Sequence, residues 1–369
     1  MRVLWITDRY PPAKGGMAVS CARQVRGLRR RGIGVDVLVL GALGVFAASV
    51  AERDGGADLL VPPETEPAMG SNEAWVMVQG RGRYDHVVGF GASVAGYHAV
   101  TFAAWLGVGS TVLVRGNDFD RDWFWPQRSG MVREAFARAS AIGAVTMEKV
   151  ERIRALYPSA RVEWTPNSVD VSRWELLASD RVRREEIRGL LRVDEGARVI
   201  GLFGELKAKK RIPFWLEAVR DAGLLDRVRL LVVGTLDGPT AAVLDDPAIA
   251  PRSLRIPFCA PDELAGLYAA ADFVAIPSMF EGMPNVLLEA MACGVVPIVS
   301  DAGAMREVIT DGENGFVFAN SSRVEAGEAT ARALGVSDLA GMSGRVREFV
   351  ETAFSLEREL DVLCGLMGT

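Results

Sequence analysis

The chain has 369 residues and a formal net charge of −5, with 49% hydrophobic and 24% charged residues. That length allows two domains, three at most, each able to bury its own core, and the composition excludes a disordered chain. The acidic balance argues against a nucleic-acid partner, which needs a basic surface to displace counterions. With only two histidines, His86 and His98, a three-histidine zinc site is ruled out. The four cysteines, Cys21, Cys259, Cys293 and Cys364, form no CxxC pair, which removes zinc-ribbon and thioredoxin-like readings.

The N-terminus, MRVLWITDRY, reads as a strand rather than a signal peptide. The most apolar stretch, 37–51, holds two glycines and is shorter than the ~20 residues that span a bilayer. A cytoplasmic location is expected, with peripheral contact at the inner membrane face as an option. Strands are expected over 2–7, 35–40, 85–90, 110–115, 142–146 and 161–164, and helices over 17–31, 93–106, 130–140 and 147–157. Pro166-Asn167-Ser168-Val169-Asp170 is rich in turn formers and reads as a hinge. Beyond it, strands are expected over 197–203, 228–234, 253–257, 272–276, 295–300 and 315–318. Helices fit 212–223, 261–270, 284–293, 303–310, 322–334 and 338–368, the last broken in two.

Alternating strands and helices imply parallel sheets with helical crossovers. The expected fold is α/β: two Rossmann-like domains, 1–168 and 169–369, facing each other across an interdomain cleft. The last helix is a candidate for packing back on the first domain. In such sheets ligands bind at the carboxyl ends of the strands.

The strongest motif follows the strand ending at Ile276: Pro277-Ser278-Met279-Phe280-Glu281-Gly282-Met283-Pro284-Asn285-Val286-Leu287-Leu288-Glu289 and on to Gly294. Pro284 suits a first helical turn, and Gly294 a helix end. Free N–H groups at residues near 283–287 would face an anion at the helix start. Gly282 permits close approach, and Glu281 would lie beside the group attached to the anion. Glu289, roughly 7 Å along the helix, could accept hydrogen bonds from a ribose diol.

Three of the five lysines, Lys207, Lys209 and Lys210, fall within four residues after the first strand of the second half. In the first half, Gly15-Gly16 follows the first strand but matches neither dinucleotide nor P-loop spacing. Arg115, Asn117 and Asp118 follow a strand end and are expected to contact an acceptor. Asp118-Phe119-Asp120 also matches a two-carboxylate metal motif, and Trp123-Phe124-Trp125-Pro126 could form a platform for a sugar or lipid.

The 277–294 segment resembles the Glu-x7-Glu signature of the retaining, nucleotide-sugar-dependent glycosyltransferases of family 4 (glycosyl transferase group 1), which have the GT-B fold. Ala302-Gly303-Ala304-Met305-Arg306-Glu307, Asp311-Gly312-Glu313-Asn314-Gly315, the hinge and Pro11-Pro12-Ala13-Lys14-Gly15-Gly16 are similar to further elements of that family. The resemblance covers almost the whole chain and is strongest over 195–320.

It implies a metal-independent hexosyltransferase of bacterial glycan or glycoconjugate synthesis. No cofactor is implied beyond a nucleotide diphosphate sugar as co-substrate. The acceptor would be a hydroxyl on a glycan, a lipid-linked compound or a small molecule. Glu281 and Lys210 would be catalytic. Gly15, Gly16, Gly204, Lys207, Lys210, Arg211, Glu281, Gly282, Met283, Pro284, Asn285, Val286 and Glu289 would hold the donor. The family's loop carries an arginine and a lysine on the diphosphate. Lys210 matches the lysine, but Glu205 occupies the arginine position, leaving Lys207 or Arg211 to supply the second charge. Phe90 and Arg115 stand where histidines are common, so the leaving phosphate itself would take the acceptor's proton. The rival readings are a nucleotide-sugar epimerase or hydrolase on the same fold, and a non-catalytic sugar-binding relative.

Overall fold

The computed structural model describes residues 1–63, 67–194, 196–257, 259 and 263–368. Eight strands form the first sheet: β1 (Arg2–Thr7), β2 (Gly34–Val39), β3 (Ser49–Arg53), β4 (Gly56–Leu60), β5 (His86–Phe90), β6 (Gly109–Val114), β7 (Ala141–Ala144) and β8 (Val162–Trp164). Their order is β3-β4-β2-β1-β5-β6-β7-β8. All neighbours pair in parallel except β3 and β4. β1 shows why its apolar run is continuous. Val3 and Trp5 enter one core, while Leu4 and Ile6 enter the core on the opposite face with Ala74, Val78 and Phe102. A strand covered on both faces has no polar side to alternate with.

The described chain divides into two compact units, Met1–Asn167 with Leu356–Thr369, and Ser168–Ser355. Relative to the expected boundary, Ser168 belongs to the second unit. The stretch expected as 338–368 splits into Leu339–Ala353 and Leu356–Met367, and the latter belongs to the first unit. Its Leu356, Leu360, Leu363, Leu366 and Met367 lie in one core with Val25, Leu28 and Val88. This is the i, i+4, i+7 stripe of an amphipathic helix. Each fully buried leucine contributes about 1.5–3 kcal/mol.

That helix also carries a buried charge. Glu359 is 3% exposed and accepts from Gln24, from Arg23 Nη2 at 3.3 Å and from Arg115 Nη2 at 3.2 Å. In the second unit, Val169 N–H donates to Phe354 O at 2.9 Å, and Val169 bridges to Ser355. The two segments at the unit boundary therefore run side by side there.

The second sheet contains β9 (Arg198–Leu206), β10 (Val228–Leu236), β11 (Ser253–Ile256), β12 (Phe273–Ile276), β13 (Val296–Ser300) and β14 (Phe316–Phe318). Its order is β11-β10-β9-β12-β13-β14, parallel throughout. The first strand is central. The second and third lie to one side, and the fourth to sixth to the other, as in doubly wound nucleotide-binding sheets. The direction of winding reverses between β9 and β12.

The sequence reading missed the β3–β4 hairpin and the helices Pro67–Gln79 and Ala178–Leu190. Residues 37–51 read as one apolar run, yet β2 ends at Val39 and β3 starts at Ser49. Residues 261 and 262, the start of one expected helix, lie outside the described residues; its described part is Leu264–Ala270. Among the described residues, no helix is long and apolar enough to cross a membrane.

Replacing Glu359 by alanine would leave Arg23 and Arg115 without their shared buried carboxylate. The expected loss is about 3–5 kcal/mol, the usual cost of removing one partner from a buried ion cluster. Urea denaturation of the full chain measures it. An unchanged unfolding midpoint would show that the cluster does not hold this helix.

Candidate functional site

β9 and β12 pair at Ile200 and Phe273, and the loops that leave them meet. After β9 the chain makes a short turn, Ala208–Lys210. Met279 N–H from the loop after β12 donates to Lys209 O at 2.8 Å. Above this backbone contact, Lys210 Nζ lies 2.6 Å from Glu281 Oε1, which also accepts from Ser278 Oγ at 3.1 Å. Lys209 Nζ stands 3.7 Å from the other oxygen, Oε2. The Glu281 side chain is 10% exposed and that of Lys210 15%, so the pair is largely shielded from water.

The loop carrying Glu281 is held from behind. Ser300 Oγ donates to Ser278 O at 2.6 Å, and Ala304 N–H donates to Gly282 O at 3.0 Å. Gly303 has φ +57°, and a Cβ there would sit 2.0 Å from Glu281 O. Only glycine fits both demands. The Ala302–Glu307 stretch thus acts as a back-plate for the Glu281 turn.

The next helix is Asn285–Ala292, with Pro284 as its extended N-cap, one position earlier than a first-turn proline. Its Leu287, Leu288, Ala290, Met291 and Ala292 are buried, which fixes the direction in which its first N–H groups point. Gly204, at the end of β9, lies beside this helix: a Cβ on it would come 3.8 Å from Val286 Cγ2. A Cβ on Gly234 of β10 would fall 2.1 Å from Gly204 O, so the two strand ends approach with backbone alone between them. Glu289 accepts from Tyr268 OH at 3.0 Å. Tyr268 is 1% exposed and packs against Phe203 at 4.3 Å and Trp174 at 5.5 Å. Burial first, and then the Glu289 charge, push its phenol pKa well above the usual value, so it remains a donor.

Lys210, Glu281, Gly204, Val286 and the helix start are therefore gathered at one end of the second sheet. Two expected donor contacts are arranged differently. Arg211 has φ +53°. Its guanidinium donates to Asn320 O at 2.7 Å and Asn320 Oδ1 at 2.6 Å, and lies 3.8 Å from the Phe214 ring centroid. Asn320 Nδ2 in turn donates to Met279 O at 2.6 Å. Arg211 thus braces three loops together. Lys207 Nζ lies 2.6 Å from Glu205 Oε2, so its charge is offset. Sequence reasoning missed Lys209 as a separate contributor, although the lysine cluster signalled it. It also missed Tyr268 and Asn320, which no local motif marks.

In the first unit, Gly15 has φ +112° and precedes the helix Gly16–Arg30. The loop that ends at Gly15 leaves β1 next to β5, its sheet neighbour. Arg115, expected to contact an acceptor, is turned into the interior. Arg115 is 5% exposed, donates to Thr165 O at 2.9 Å, to Asn167 and to Glu359, and lies 5.4 Å from the Phe90 ring centroid. Its acceptors come from residues far along the chain and turn it inward. Asp118 likewise accepts from the backbone N–H groups of Ala92, Arg115 and Gly116 at 2.8–3.2 Å. Burial pushes its carboxyl pKa up against the pull of those N–H groups. Asn117 is exposed.

Asp120 pairs with Lys149 and Arg152, each at 2.9 Å, so the Asp118 and Asp120 carboxylates serve different partners. Among the described residues, no cluster of three His, Cys, Asp or Glu could hold a metal. His86 bonds Thr111 at 2.9 Å, and burial pushes its pKa down to about 4. His98 bonds Ser71 and Val94, each at 2.8 Å. Trp123 packs on Phe119, Phe136 and Tyr157, while Phe124 is 82% exposed.

Two family descriptions match successive parts of the chain. Residues 14–173 match Glycosyltransferase Family 4, and residues 197–335 match Glycosyl transferases group 1. The chain belongs to the family 4, group 1 glycosyltransferases. It is 30% identical over 202 residues to the D-inositol 3-phosphate glycosyltransferase of Rhodococcus erythropolis, covering 50% of this chain and 43% of that protein. The chain spans under half the length of the first such relatives it matches.

Solved structures extend the likeness to the whole fold. Sucrose-phosphate synthase from Thermosynechococcus elongatus superposes with a TM-score of 0.79 at 16% identity, over 99% of this chain and 98% of that one. Anabaena Alr3699/HepE in complex with UDP superposes at 0.78 and 17%, over 100% of both chains. The glycosyltransferase fold here is GT-B.

The back-plate yields a prediction. Gly312 has φ +81° with open space around its would-be Cβ, so Gly312→Ala should lose only the left-handed backbone cost, about 1–2 kcal/mol. Gly303→Ala must also displace Glu281 and should lose clearly more. Chemical denaturation compares them; equal losses would contradict the back-plate.

Proposed function

We propose that the chain is a retaining glycosyltransferase that moves a hexose from a nucleotide diphosphate sugar to a hydroxyl acceptor. The observation that carries this is the shielded Lys210–Glu281 pair at 2.6 Å, set beside the start of the helix Asn285–Ala292 where winding reverses in the second sheet. An anion placed there meets the Lys210 ammonium and the first helical N–H groups. Glu289, oriented by Tyr268, then faces the ribose, and Glu281 the donor sugar.

In the reaction the bond between the sugar's anomeric carbon and the β-phosphate oxygen breaks, and the electron pair leaves with the diphosphate. The acceptor oxygen forms its bond to the same carbon on the same face. The acceptor's proton passes to the departing phosphate oxygen, so no histidine base is needed. Lys210 and the helix N–H groups stabilise the charge that develops on the leaving group, a preorganised effect worth about 10²–10³ in rate per donor. On this reading the positive charge at the diphosphate comes from the protein, without a metal.

The Anabaena structure holds UDP, so UDP is the first donor base to try, with GDP and ADP beside it. The name of the Rhodococcus erythropolis relative makes an inositol phosphate one acceptor to include; glycan and lipid-linked hydroxyl compounds are others.

A thermal-shift panel of UDP, GDP, ADP and their sugars tests the donor site. A ligand held only by the folded state stabilises it by about 2.7 kcal/mol at a hundred times its Kd. One nucleotide should stand out, with its effect reduced in Lys210→Ala and Glu289→Gln. Undiminished binding in both variants would overturn the assignment. Full-rate conversion of the donor without any acceptor would point instead to a hydrolase or epimerase.

A further inference from the structure

The loop after β9 carries four cations, Lys207, Lys209, Lys210 and Arg211, and the structure separates their duties. Lys210 is matched by Glu281 at 2.6 Å. Lys207 is matched by Glu205, also at 2.6 Å, so that pair presents almost no net field to an incoming anion. Arg211 is committed to Asn320 and Phe214. Lys209 differs from all three. Its main chain is pinned to the Glu281 loop through the 2.8 Å bond from Met279 N–H. Its ammonium reaches over that loop, 3.7 Å from Glu281 Oε2 and 5.9 Å from the Phe280 ring centroid. Its side chain is 43% exposed.

We infer that Lys209 is the second cation for the donor diphosphate, filling the charge that Glu205 leaves missing from the loop. This rests on the donor reading above. Glu281 has one carboxylate and two ammonium neighbours, so the cluster of Lys209, Lys210 and Glu281 keeps one net positive charge. The longer, half-exposed contact to Lys209 is the weaker of the two. Lys209 can therefore turn to a phosphate oxygen while Lys210 stays close to Glu281. The second charge thus comes from the turn itself, four residues after the acidic position 205 at the strand end. The residue binds the leaving group directly, and its effect should be felt by the β-phosphate above all.

The test measures calorimetric binding of a nucleoside diphosphate and the matching monophosphate. The proteins are the wild type, Lys209→Ala, Lys209→Arg, Lys207→Ala and the double variant Glu205→Arg/Lys209→Ala. A lost charge-assisted hydrogen bond corresponds to about a tenfold weakening. Lys209→Ala should show that loss for the diphosphate and a smaller one for the monophosphate. Lys209→Arg should keep most of the affinity, and Glu205→Arg should restore it in the double variant. Diphosphate binding that is unchanged in Lys209→Ala, or a larger loss in Lys207→Ala, would overturn this inference and leave the donor reading standing. Failure of the wild type to bind any nucleoside diphosphate would overturn both.

Discussion

In the second unit, β9 and β12 are neighbours in a parallel sheet, yet the chain leaves them in opposite senses. Right-handed crossovers carry the helix after β9 to one face of the sheet and the helix after β12 to the other. The two loops therefore meet at the strand ends and diverge beyond them, which opens a crevice there. Everything chemically distinctive about this unit is built around that parting. The Met279–Lys209 backbone bond closes its floor, and the Lys210–Glu281 pair spans it. Gly303 and Asn320 hold the two rims from outside. A cation and a carboxylate so placed can grip an anion and the group attached to it at once, as the proposed sugar–diphosphate donor requires.

The first unit uses charge differently. Glu359 draws Arg23 and Arg115 into the interior, and Arg115 also grips Thr165 and Asn167. Buried ion clusters are costly to form and costlier to break. Arg115, just after β6, holds the C-terminal helix and the segment before Ser168, while Asp118 is spent on the backbone N–H groups of Ala92, Arg115 and Gly116. That explains why Arg115 and Asp118, at a strand end where ligand contacts are expected, face inward.

The fold class was legible because its signal is local and repeated: apolar runs covered on both faces, separated by amphipathic stretches. The Glu281–Glu289 segment was legible for the same reason, since strand end, glycine, helix start and carboxylate spacing lie within eighteen residues of one another. What escaped was decided at a distance. The direction of Arg211 depends on Asn320, 109 residues later, and that of Arg115 on Glu359, 244 residues later. Tyr268 matters only because folding sets its hydroxyl against Glu289. The β3–β4 hairpin escaped for another reason. Every β3 side chain is exposed or half-exposed, so this edge strand lacks the alternation by which a half-buried strand is read.

The central claim is that the crevice between β9 and β12 receives the donor's diphosphate. A crystal structure of the full chain soaked with the nucleoside diphosphate that binds it tests this most directly. The account predicts phosphate oxygens bonded to Lys210 Nζ and to the first N–H groups of the helix Asn285–Ala292, with the ribose hydroxyls on Glu289. A nucleotide lodged elsewhere, with Lys210 and Glu281 untouched, would contradict it.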